Sequence, residues 1–154
     1  SMFQRVMAVN FESAVTAAQV VLPGMVERGF GRIVSVASVA GLKGYPYVSA
    51  YCASKHAVVG LTRALAQEVA KTGVTVNAVC PGYVDTDLVR EVAARISTKT
   101  GRPAEEIASG LHKDNPLGRF IEAGEVAAAV VWLASDAGAG VNGQAIAIDG
   151  GETS

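Results

Sequence analysis

Tyr51 and Lys55 stand four positions apart at the end of the stretch Gly31 to Lys55, GRIVSVASVAGLKGYPYVSAYCASK. If that end is helical, four residues turn through about 400°, so the phenol and the ammonium stand one turn apart on the same face. Such a pair can do proton chemistry. A free tyrosine holds its proton until about pH 10, and a cation within a few ångström of a phenol favours the phenolate. A phenol so placed becomes an acid and base usable near neutrality. Ser38, thirteen residues before Tyr51, adds a hydroxyl that can both donate and accept. Taken alone, Tyr-x-x-x-Lys also describes many half-exposed aromatics beside solvated lysines. The company it keeps decides its meaning: Ser38 upstream, Pro81-Gly82 downstream, and Asp149-Gly150-Gly151 beyond.

The elements that must position these residues follow from periodicity. Ile33 to Val36 is the β-branched run of a strand buried in a parallel sheet, so a strand is predicted over 32–38 with Ser38 at its end. The Tyr/Lys helix is predicted over 48–71, apolar at Val58, Leu61, Leu65 and Val69, with Gly73 as its stop. A second strand over 74–80 runs into Pro81-Gly82. Before these, residues 2–28 alternate at helical spacing, with a bend predicted at Pro23-Gly24. Asn10 falls inside that helix, where a residue of low helix propensity needs a reason. After residue 85 the chain turns polar, with helical pieces over 87–97 and 103–113. A helix over 122–135 and a short strand over 144–149 close it. Helices alternating with strands predict a parallel sheet joined by right-handed crossovers.

Composition narrows the classes. The 154 residues make one domain's worth of chain, half hydrophobic and only 18% charged, which suits strands covered on both faces. A net charge of −1 gives no electrostatic reason to expect nucleic acid or an anionic membrane. Cys52 and Cys80 lie 28 positions apart and, with His56 and His112, form no cluster of metal-site spacing, so no metal is expected. Two buried thiols in a reducing cytoplasm are the expectation. No membrane span and no signal core are expected either.

The combination of Ser38, Tyr51-x-x-x-Lys55, strand-Pro81-Gly82 and Asp149-Gly150-Gly151 resembles the short-chain dehydrogenase/reductase family, in the single-domain form that includes 3-oxoacyl-thioester reductases and related alcohol dehydrogenases. The resemblance runs from about Phe3 to Glu152. It implies an α/β fold, the C-terminal part of a doubly wound Rossmann-type parallel sheet with flanking helices. It also implies NAD or NADP as cofactor and a secondary alcohol or ketone as substrate, including a 3-oxoacyl thioester. The site it implies consists of Asn10, Ser38, Tyr51 and Lys55. Ser38 would orient the substrate oxygen, Tyr51 would exchange its proton with it, and Lys55 would assist Tyr51 and bond the cofactor ribose. Asn10 would support a water chain through its backbone carbonyl. Pro81, Gly82, Val84 and Thr86 would meet the nicotinamide, and Tyr45 and Tyr83 would flank the substrate. The polar excursion 85–119, past the carboxyl end of a strand, is expected to be a substrate lid rather than a plain surface insertion, since loops there cover the ligand crevice of open α/β sheets. A homo-oligomer, dimer or tetramer, is expected through helices 2–28 and 48–71.

One departure from the family qualifies these expectations. The glycine-rich turn that opens a helix after a first strand and receives a pyrophosphate is not in this sequence, and the late glycines do not follow that order. The expectation is therefore a fragment carrying the catalytic half of an oxidoreductase, whose strand at Ile33 presents an apolar edge. A second reading is an inactive relative that still associates through its two long helices. A third, a Ser/Lys hydrolase using Ser38, lacks a visible oxyanion motif and leaves Tyr51 unexplained.

Overall fold

The computed structural model describes the backbone of residues 1–154 and the side chains of all but residues 88, 92, 95 and 99. Three parallel strands, β1 (Gly31–Val36), β2 (Val74–Pro81) and β3 (Ala145–Ile148), form one sheet in the order β1-β2-β3. Ile33 pairs with Val76, and Val79 with Ile146, which fixes the register on both sides of the central strand. All eight residues of β2 are buried, Thr75 and Asn77 among them, as befits a central strand covered on both faces. Val36, at the end of the outer strand, is 57% exposed.

The polypeptide enters through α1 (Met2–Met7) and α2 (Ser13–Glu27), joined by a π-wound turn at Ala8–Glu12. The helix α2 runs through Pro23, where the bend is expected, to Glu27, and a second irregularity that the sequence did not announce falls around Asn10. Pro23 and Gln19, whose carbonyl loses its helical partner to the ring, are both exposed, so water can take the lost bond. By length and composition alone the segment Met2–Glu27, which holds an 18-residue window of mean hydropathy 1.3, is long and apolar enough to cross a membrane. That corrects the expectation of no such stretch, which overlooked how much Ala and Val contribute between the scattered polar residues. In this fold Leu22 and Met25 from it pack, together with Ile33, against the cluster of Ala66, Val69, Val74 and Val76, while most of the segment stays exposed.

From β1 the chain makes a 3-10 turn (Val39–Gly41) and enters α3 (Ser49–Glu68), whose Val58 and Val59 pack on Ala78 and Cys80. The helix ends before Gly73, whose φ of +78° and whose position against the Gly29 carbonyl, where a Cβ would sit 2.1 Å away, leave room for glycine alone. After β2, α4 (Asp87–Thr100) and α5 (Ala104–Leu111) pack together as a hairpin. Its ends are tied by a bridge in which Asp85 N donates to Ile121 O at 2.8 Å and Ile121 N to Tyr83 O at 3.0 Å. The last helix, α6 (Ala123–Ala134), brings Val126, Val130 and Val131 beside Val36 and Pro81.

The strands alternate their side chains between two faces. Val76, Ala78 and Cys80 meet α2 and α3, so Pro81 and Val36, out of phase with them, mark the opposite face, where α6 lies. Both crossovers step in the same direction along the sheet yet cover opposite faces, so they have opposite hands. The expectation of uniformly right-handed crossovers is thereby corrected. The β2-to-β3 connection winds through three helices, and the coupling of strand twist to one tightly packed helix that sets the usual hand does not govern it.

Candidate functional site

A cleft of about 800 Å³ opens beyond the carboxyl ends of β1 and β2, the place where open α/β sheets bind ligands. Ser38, Tyr51 and Lys55 line it from the β1 side, and Pro81, Gly82, Val84 and Thr86 from the β2 side. Tyr45 and Tyr83 complete its wall, so nine of the ten residues singled out in the sequence face one cavity. Asn10, the tenth, is joined to the same helix by a hydrogen bond from its Nδ2 to Ser54 Oγ at 3.0 Å.

The local chemistry follows from how each element ends. Ser38 leaves β1 in extended backbone and caps the following 3-10 turn, its Oγ accepting from Ala40 N at 3.1 Å. That bond uses a lone pair and leaves the hydroxyl proton free to point into the cleft. Tyr51 and Lys55 lie on the first turns of α3, with Lys55 Nζ 5.7 Å from the centre of the Tyr51 ring. Nζ donates to Val36 O at 3.1 Å, which leaves two further donors. Burial pushes the Lys55 ammonium below its ordinary value.

Gly82 sits where the ends of β2 and β3 converge: a Cβ there would meet Asp149 Cβ at 3.2 Å. The close approach that its glycine permits is therefore made in part by the chain itself. Asp149 accepts from Gly151 N at 3.0 Å, Thr153 N at 2.9 Å and the Thr153 hydroxyl at 2.6 Å, which closes the turn after β3. Burial alone would raise this carboxyl, but those bonds outweigh it and hold it below its ordinary value.

Several residues at the site had no distinct signal in the sequence. Glu152, its side chain 3% exposed, accepts from the Tyr45 hydroxyl and pairs with Lys43 Nζ at 3.1 Å. Burial, then this carboxylate, pushes the Tyr45 phenol well above its ordinary value, and burial with Glu152 and Asp114 raises Tyr83 as well. Val89, Leu111 and Asp114 reach the cleft from the α4/α5 hairpin. An acidic residue directly after Gly150-Gly151 could have drawn attention to Glu152; Ser54 and Asp114 look like ordinary helix and loop residues.

The nicotinamide end of a dinucleotide fits these residues. The Val36 and Pro81 side chains offer an apolar floor, while Lys55 and Thr86 offer polar groups at its rim. His112 packs edge-on against Phe120, with ring centres 4.7 Å apart, and is not among the cleft-lining residues. No group of three His, Cys, Asp or Glu side chains able to hold a metal occurs among the described residues.

The chain is 39% identical over 98% of its length to the D-beta-hydroxybutyrate dehydrogenase of Rhizobium meliloti (strain 1021), covering 59% of that protein. It superposes on levodione reductase with a TM-score of 0.91 at 36% identity, covering 98% of this chain and 57% of that one. For an actinorhodin polyketide ketoreductase with NADPH the TM-score is 0.79 at 43% identity, covering 84% and 50%. The chain thus spans between half and three-fifths of the length of these relatives. A family model described as enoyl-(acyl carrier protein) reductase matches residues 1–153, and with that match and this fold the chain belongs to the short-chain dehydrogenase/reductase family.

Proposed function

We propose that this chain carries the catalytic half of an NAD(P)-dependent oxidoreductase acting on a secondary alcohol or ketone, a 3-oxoacyl thioester among the candidates. The observation that carries the reading is the convergence of Ser38, Tyr51 and Lys55 with Pro81, Gly82, Val84 and Thr86 on one cleft. Relatives named as a hydroxybutyrate dehydrogenase, a levodione reductase and a polyketide ketoreductase support the alcohol/ketone class.

Ser38 donates a hydrogen bond from its hydroxyl to the substrate oxygen, keeping its own proton, and fixes the carbonyl plane. Tyr51 delivers a proton to that oxygen during reduction and removes it during oxidation. Lys55, a half-buried cation on the same helix face, stabilises the phenolate left behind and holds a ribose hydroxyl with a remaining N–H. Val84, through its backbone, and Thr86 orient the carboxamide of the cofactor. The bound nicotinamide supplies or accepts the hydride. Residues 85–119 act as a lid over the substrate: Val89, Leu111 and Asp114 line the cleft, and the bridge at Val84 and Ile121 gives the segment a fixed base.

Self-association through helices 2–28 and 48–71 belongs to the same proposal. Val9, Val20, Val21 and Val26 stand exposed along the first of them, more apolar side chains than an isolated helix face needs. This favours a second reading, an association module without turnover. Fluorescence titration with NADH and then NADPH separates the two. Micromolar binding, with consumption of the reduced cofactor on adding a ketone, is the expected result. Absence of binding at millimolar cofactor would leave only the association module.

A further inference from the structure

Ser54 has none of its surface exposed, yet it is a polar residue lying between Tyr51 and Lys55 in sequence. It is not among the cleft-lining residues. Its hydroxyl donates to the Tyr51 carbonyl at 2.8 Å and accepts from Asn10 Nδ2 at 3.0 Å. A serine that bonds the carbonyl three residues back is common in helices and by itself signifies little. The second link is what distinguishes this one. It comes from 44 positions away, from the π-wound turn Ala8–Glu12, and it ends on the backbone of the proposed acid/base tyrosine.

The chain of bonds has a single sense. Asn10 Nδ2–H points to Ser54 Oγ, and Ser54 O–H points to Tyr51 C=O, so each link polarises the next. The π-wound turn interrupts the regular ladder of the first helix at Asn10, a device common at functional sites. We propose that Ser54 is a positioning residue that ties this turn to the first turns of α3. It thereby fixes the Asn10 peptide, the Tyr51 phenol and the Lys55 ammonium in one geometry. The inference rests on the role given above to Tyr51 and Lys55. Alanine at position 54 leaves the Asn10 amide without this partner and lets the two helices slide, and displacements of about 1 Å at a reacting group can cost roughly a hundredfold in rate.

The test uses the protein supplied with reduced nicotinamide cofactor and a ketone that it turns over, in four forms: unsubstituted, Ser54→Ala, Ser54→Thr and the double variant Asn10→Ala/Ser54→Ala. Ser54→Ala should lower kcat about tenfold or more with both KM values held within about twofold, as expected when only reacting geometry is lost. Ser54→Thr, which keeps the hydroxyl, should recover most of the loss, and adding Asn10→Ala to Ser54→Ala should cost little more. A kcat for Ser54→Ala within about twofold of the unsubstituted protein, or a loss that multiplies when Asn10→Ala is added, would overturn the proposal. Hydrogen exchange of the Asn10 side-chain amide, followed by NMR, reads the link without turnover. It should be slow in the unsubstituted and Ser54→Thr proteins and fast in Ser54→Ala; equal rates in all three would overturn the link on their own. An unsubstituted protein that turns over no ketone defeats the enzymatic reading, whatever the amide does.

Discussion

Tyr51→Phe removes one oxygen and leaves the ring. Among the described residues the Tyr51 hydroxyl has no hydrogen-bond partner, and the residue is 38% exposed. Folding should therefore change by no more than about 0.5 kcal/mol, as for a surface substitution. The phenyl ring still faces Lys55 and still lines the cleft, so cofactor affinity should stay within about twofold. What is lost is the proton. General acid catalysis contributes about 10²–10⁴ in rate, which at about 1.36 kcal/mol per decade is roughly 3–5 kcal/mol of the barrier. The expected result is a kcat lowered by that factor in ketone reduction, followed by the absorbance of the reduced nicotinamide, with cofactor binding measured separately by fluorescence. A variant retaining more than about a tenth of the original kcat would remove Tyr51 as the acid. A large loss of cofactor binding would instead make its role one of packing.

Glu152→Gln takes a buried negative charge from beside Tyr45 and Tyr83, so both phenols should ionise at lower pH than in the unsubstituted protein; an unchanged alkaline absorbance titration would refute the pairing. Asn77, fully buried, donates to Val141 O at 2.8 Å and accepts from Gln144 N at 3.0 Å. Asn77→Ala strands both groups and should cost about 2–4 kcal/mol in denaturant unfolding, with a cost under about 1 kcal/mol counting against this bracing of the β3 turn. Asp149 is held below its ordinary value, so it binds a proton less readily folded than unfolded. Its contribution to stability is complete above the ordinary carboxylate range and is lost as pH falls through the folded value. Asp149→Ala should therefore flatten the acid limb of the stability curve, and an unchanged limb would show that Asp149 does not supply it.

The elements were legible because each is written in short-range terms. The β-branched run at Ile33 and the apolar spacing of Val58, Leu65 and Val69 each specify a local hydrogen-bonding pattern and the face it buries. Observed boundaries differ from the expected ones by up to three residues at each end, most at the C-terminal ends of α3 and α4. The cleft was legible for a different reason. Tyr51 and Lys55 share a face at helical spacing, while the resemblance that brought Ser38 and Pro81 to Thr86 beside them rested on several matched segments at once. Tyr45 and Tyr83, expected to flank the pocket, both line the cleft wall.

What the amino-acid sequence determined by itself is a parallel α/β arrangement with a hydroxyl at a strand end and a phenol and an ammonium on one face of the helix that follows. Only the tertiary structure decided which face α6 covers, and hence that the two crossovers differ in hand. It alone revealed the π-wound turn at Asn10, the hold of Asn10 on Ser54 across 44 positions, and that of Glu152 on Tyr45 across 107. The physical reason is one of range. Helical and strand periodicity is enforced by neighbours within a few positions, whereas a buried serine or glutamate gains its meaning from a partner brought to it by packing, and no local pattern specifies that partner.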